Sequence, residues 1–292
     1  ALTTGTGGVA VGYNALAANT TGNNNTAVGY DAGKAITTGG QNTVVGTLAL
    51  DALTTGADNV AIGYLALTTS TGDSHNTAVG VRALTTCDGG DYNTSVGSNS
   101  MRYTTTGDGN TAMGYIALQD VTTGGYNVAI GYYAGKDITT GGESVAIGQN
   151  ALRTATTSGY NIAVGANALY ANTGGHANVA VGHKAMESNT TGEDNVGIGA
   201  SALYTNTTSS YNTAVGNRAL LVNTAELNTA VGSLCMYSNT TGTENTAVGQ
   251  ASLYTNSTGS YNTAVGRYAL RLNTTGDFNT AFGRNALTSN TT

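Results

Sequence analysis

The chain has 292 residues, no Pro or Trp, 43 Gly, 9% charged residues and a formal net charge of −6. An ordinary globular domain carries roughly 25% charge, and no run here approaches the ~18 apolar residues of a membrane helix, so the composition points to a repetitive fibre and away from membrane insertion. The mild acidity lacks the clustered Lys and Arg of a nucleic-acid footprint, so no nucleic-acid partner is expected. No basic-then-apolar leader opens the chain, and Ala1 is compatible with a processed or truncated start.

One motif recurs from end to end. Its glycine falls at Gly12, Gly29, Gly46, Gly63, Gly80, Gly97, Gly114, Gly131, Gly148, Gly165, Gly182, Gly199, Gly216, Gly232, Gly249, Gly266 and Gly283. Every step is 17 residues except 216 to 232, which is 16. With this glycine as position 5, the consensus is Asn-Thr-Ala-Val-Gly-x-x-Ala-Leu-x-x-Asn-Thr-Thr-Gly-x-x. Positions 2 to 4 form a short β-prone run, ended by a glycine that implies positive φ or close backbone approach. Positions 8 and 9 are a small residue and usually Leu or Met, with Gly33 and Gly135 as exceptions. Thr-Thr-Gly at 13 to 15 signals a turn. Seventeen residues are too few for a helix pair, no stretch has helical periodicity, and a fixed short period marks a solenoid. The expected fold is therefore all-β: a β-solenoid (parallel β-roll) of seventeen 17-residue coils, one repetitive domain over 1–292. At ~4.8 Å per coil it would make a rod on the order of 80 Å long.

The charges partition by position. None of the 26 charged residues falls at positions 1 to 5, 8, 9, 12 or 14, which are therefore expected to be buried or tightly packed. All ten Lys and Arg lie at positions 6, 7 or 10, and ten of sixteen acids at 15 to 17. A basic stripe and a separate acidic edge follow. Positions 2 and 4 share one strand face and position 3 faces the other way. Position 3 is Ala in fourteen copies, with Val44, Ser95 and Gly197 as exceptions. A strand apolar on both sides is normally covered on both. One face would fill the coil's interior, and the small-residue column suits close approach by a neighbouring chain.

Position 12 changes along the chain. It is Asn19, then Ile36, Leu53, Ser70, Cys87, Thr104, Val121, Ile138 and Ala155, then Asn172, Asn189, Asn206, Asn223, Asn239, Asn256, Asn273 and Asn290. Exchange with Ile, Leu and Val suggests inward side chains, and the asparagines would then form a stacked amide ladder. The competing reading is glycosylation, since most of these asparagines begin an Asn-x-Ser/Thr sequon. Tyr170, Tyr204, Tyr237 and Tyr254 align at position 10, and Tyr92, Tyr126, Tyr160, Tyr211 and Tyr261 at position 17. Such columns stabilise adjacent strands, and those at position 10 could also stack on sugar rings.

No catalytic, metal or cofactor site is expected. His75, His176 and His183 occupy different positions with no recurrent Ser, Cys or carboxylate companion. The acidic turns lack the aspartate-glycine nonapeptide of calcium β-rolls, and no phosphate-loop motif occurs. Cys87 and Cys235 lie nine coils apart, too far for an intrachain disulfide, and read as packed thiols.

Glu143-Ser-Val-Ala-Ile-Gly148, Asn59-Val-Ala-Ile-Gly63 and the many Asn-Thr-Ala-Val-Gly copies resemble the head repeats of trimeric autotransporter adhesins, and similar repeats occur in phage-type tail-fibre proteins. The resemblance covers the whole chain. It implies a left-handed parallel β-roll, three chains packed about an axis, and attachment to surfaces, matrix or host receptors. The adhesin repeat is typically shorter, and Thr-Thr-Gly here adds length to one turn. No coiled-coil stalk, membrane anchor or chaperone-like end domain is visible. The leading expectation is a non-enzymatic structural or attachment fibre, outside the cell or on a virion surface, whose partners are copies of itself and a surface glycan or receptor. Ala1 enters at position 11 and Thr292 stops at position 14 without distinct caps. A segment of a longer fibrous protein, or a filament of end-to-end coils, would look like this. An ice-binding solenoid ranks last, because the paired Thr sit beside a Gly turn with neighbours of varied charge.

Overall fold

A computed structural model describes residues 4–292. Each coil carries one three-residue strand at positions 2 to 4, and the chain forms two compact units, Ala1–Ser144 and Val145–Thr292. In the first unit eight strands run from β1 (Val9–Val11) to β8 (Val128–Ile130). In the second, nine run from β9 (Val145–Ile147) to β17 (Thr280–Phe282). Successive strands within each unit pair in parallel and in perfect positional register: Val9 meets Thr26, Ala10 meets Ala27 and Val11 meets Val28. Among the described residues no helix forms, so none is long and apolar enough to cross a membrane.

Backbone ladders continue around the corners. The position-9 amide of Leu50 donates to the position-8 carbonyl of Ala66 at 3.0 Å, Thr37 to Thr54 at 2.9 Å, and Arg218 back to Ala200 at 2.9 Å. Each coil is therefore hydrogen-bonded to its neighbours on several sides, which makes the fold a parallel β-solenoid. The 16-residue step keeps this register, with Thr213 opposite Thr229. Asn223 Nδ2 reaches the carbonyl of Ala225, two residues on, where Asn206 reaches Ser209, three residues on. The missing residue is thus the second Thr of the turn.

The corners are tight. Positions 7, 9 and 17 take left-handed backbone, as at Arg218 (φ 55°), Leu203 (φ 50°) and Tyr211 (φ 62°). A side chain in that region costs roughly 1–2 kcal/mol, which the ladders and buried leucines must offset. Gly33 and Gly135 occupy position 9, each with φ 56°. They also make room: Ile36 Cδ1 lies 2.9 Å, and Ile138 Cδ1 3.1 Å, from where the missing Cβ would stand. Glycine at position 9 and isoleucine at position 12 are one packing unit.

The interior departs from one expectation. The alanines of position 3, such as Ala61, Ala163 and Ala214, have no exposed surface and point into their own coil. They face position 8, as Ser95 Oγ donating to the Ser100 carbonyl at 3.0 Å makes plain. The coil is too thin there for anything larger. At Gly197 a Cβ would lie 2.8 Å from Met186 Cγ, so the alanine is given up where a longer methionine enters. The small-residue column is therefore filled by the chain itself and does not await a neighbour. Positions 2 and 4 form the outer strand face, and Ile62 and Ile198 there remain 38% and 39% exposed. The second Thr of the turn, as at Thr38 and Thr55, is also exposed and not packed.

Candidate functional surfaces

The position-5 glycines are structural. Gly199 has φ 131°, and a Cβ on it would stand 2.5 Å from the Gly216 carbonyl oxygen. The same approach recurs from Gly12 to Gly114 and from Gly148 to Gly249, and Gly266 meets the Gly283 carbonyl at 2.6 Å, while Gly283 itself has no neighbouring atom within 4 Å of that point. Left-handed φ and backbone contact together explain a glycine in every copy.

Two columns of buried amides run through the coils. At position 12, Asn189 Nδ2 donates to Asn172 Oδ1 at 3.0 Å, Asn206 to Asn189 at 3.1 Å and Asn256 to Asn239 at 2.8 Å, and the series reaches Asn290. From Asn172 to Asn273 each amide also satisfies its own turn, as Asn256 does by donating to the Gly259 carbonyl at 2.8 Å. Asn189, Asn206, Asn239, Asn256 and Asn273 have no exposed surface, and such an amide has no room for a glycan in the folded chain. The second column, at position 1, was not singled out from the sequence. Asn212 N–H donates to Asn195 Oδ1 at 3.0 Å, while Asn195 Nδ2 donates to the Ser209 carbonyl at 2.9 Å. The available signal was Asn at position 1 in fifteen of seventeen copies.

The cysteines, His75 and His176 serve packing and turns. Burial, with a contribution from nearby Asp73, pushes the Cys87 thiol up to about 12, and burial pushes Cys235 up to about 11. A thiol so protonated is a poor nucleophile. At pH 8 the native protein is expected to leave both cysteines unmodified by a thiol-specific reagent over an hour, and to release two equivalents in denaturant. Rapid native labelling of either one would contradict the packing described. His75 stacks on Tyr92 at 4.9 Å, and His176 Nδ1 accepts from the Gly159 amide at 3.1 Å.

Charge divides the two units. In the first, two of the four cations carry their own counter-ions: Lys34 lies 3.1 and 3.2 Å from Asp31 and Asp51, and Lys136 lies 3.0 Å from Asp120 and also pairs with Asp137. In the second, six cations (Arg153, Lys184, Arg218, Arg267, Arg271 and Arg284) occupy positions 6, 7 and 10, where the one acid is Glu187. The other five acids of that unit lie at the turn edge. Tyrosines interleave with these cations. Lys184 Nζ lies 5.9 Å from the Tyr204 ring, Arg153 5.8 Å from Tyr170 and Arg271 5.9 Å from Tyr254. Tyr237 and Tyr254 stack at 5.2 Å, while Tyr170 stands apart from them, with Glu187 occupying the next coil's place in the column.

No family model and no curated protein matches this chain. Function must therefore be argued from its surfaces, of which two stand out. One is the half-exposed Val, Ile and Thr face of the strands in each unit. The other is the aromatic and basic stripe of the second.

Proposed function

We propose that this chain is the repetitive part of a non-enzymatic structural and attachment fibre, working outside the cell or on a virion surface and assembled from copies of itself. The observation that carries the reading is the outer strand face. Valines and isoleucines at position 4 recur in every coil but the two that carry Met113 and Phe282, and many are more than a third exposed. A repeated apolar column of this kind marks an interaction surface, and its regular period suits a partner with the same period. The resemblance to adhesin heads favours three copies about an axis. Both cysteines are buried, and His75 and His176 are engaged in a stack and a turn, which supports a mechanical role over a chemical one.

Sedimentation equilibrium tests the assembly. A discrete trimer at micromolar concentration is expected, and Ile62→Glu with Ile198→Glu should shift it to monomer with the far-ultraviolet spectrum retained. Open-ended polymers of indefinite mass would favour the end-to-end filament instead. A monomer at all accessible concentrations would remove the basis of the proposal.

A further inference from the structure

We propose that a cleft in the second unit binds a carboxylated sugar. The cleft is an open surface groove that offers about 340 Å³ and is lined by Lys184, Ser201, Tyr204, Arg218, Leu221 and Tyr237. These residues are positions 7 and 10 of successive coils, so the backbone ladders fix their spacing. Its volume is within the range of small-ligand sites.

The lining names the ligand. Tyr204 and Tyr237 are half-buried, which leaves part of each ring accessible and restricts its motion. Tyr237 is further held by its stack on Tyr254, with planes 14° apart. Flat rings of this kind cover the C–H face of a sugar. Lys184 is partly neutralised by Glu187 at 3.4 Å. Arg218 is exposed and makes no ion pair among the described residues. A guanidinium fork matches a carboxylate with two parallel hydrogen bonds, and the Ser201 hydroxyl can donate to or accept from a sugar hydroxyl. The cations stand two coils apart, roughly 10 Å at the inter-strand spacing, with Ser201 at position 7 of the coil between them. That arrangement suits one acidic group beside a ring. A nucleic-acid strand would call for a continuous run of cations.

This deepens the attachment reading by naming a ligand class. Assembly is read by mass and this site by binding, so either can fail without the other. The experiment is saturation-transfer NMR and calorimetry on the intact chain with glucuronate and N-acetylneuraminate. Glucose, glutarate and a short single-stranded DNA are the comparison probes. Binding by at least one carboxylated sugar is expected, with saturation on ring protons and at least tenfold weaker binding by glucose and by glutarate. Arg218→Gln should weaken it at least tenfold, and Tyr204→Ala should abolish the ring-proton signal. Both positions lie on the surface or half-buried, and circular dichroism checks that each variant folds. Equal binding of glucose, of glutarate or of the DNA would overturn the proposal. So would an Arg218→Gln variant that binds as the parent does, or the absence of binding at tens of millimolar.

Discussion

Gly199→Ala is expected to destabilise its part of the solenoid by about 3–5 kcal/mol, while Gly283→Ala costs only the strain of its backbone, about 1–3 kcal/mol. The two glycines have similar torsions, φ 131° and 122°. They differ in what a Cβ would meet: the Gly216 carbonyl oxygen at 2.5 Å and its carbon at 2.6 Å in one case, nothing within 4 Å in the other. The comparison therefore separates left-handed strain from contact between coils. Stacked repeats need not unfold in one step, so urea unfolding should be paired with hydrogen exchange. Loss of protection should centre on the amides of Val181, Ile198 and Val215. Equal effects of the two substitutions would mean that the close approach is soft.

The amide column at position 1 should be nearly as sensitive. Removing Asn195 orphans the buried Asn212 N–H, which it accepts at 3.0 Å, and deprives the Ser209 carbonyl of a donor at 2.9 Å. Asn195→Ala is expected to cost about 2–4 kcal/mol. Asn195→Asp should be worse at pH 7, by about 3–5 kcal/mol, because it sets a buried carboxylate against Asn178 Oδ1 and the Ser209 carbonyl. Burial would raise the folded-state pKa of that new Asp above its unfolded value. The variant would thus be most stable when protonated and lose stability as pH rises through the folded pKa. Denaturation midpoints between pH 3 and 8 check this, and a flat difference from the parent would show that water reaches the site.

The period, the parallel stacking and the turn were legible because each depends on residues repeated in every copy. Which strand face points inward was not. Alternation distinguishes two faces, but the choice depends on coil width, and only a thin interior makes Ala61 the core residue and Ile62 the surface one. The left-handed leucines were hidden for a related reason. Leucine is a poor choice at φ 50°, and the packing of Leu203 outweighs the local preference. Gly33 and Gly135 carried the clue, since they are what the backbone alone would select. The charges gave a basic stripe. They did not reveal that acids hold two of the four cations of the first unit, because that depends on which neighbours touch Lys34 and Lys136.

The short coil has a consequence for what this scaffold can accept. One residue is absent at the exposed turn, yet the strands on either side stay in phase, Thr213 against Thr229 and Val215 against Val231. The rise from coil to coil is thus set by the ladders and is indifferent to how much chain is spent at that corner. A guest peptide inserted between the two threonines of one turn, for instance after Thr207, would project from the edge and leave both amide columns in phase. The fold would then act as a ruler, presenting inserted epitopes at multiples of one coil.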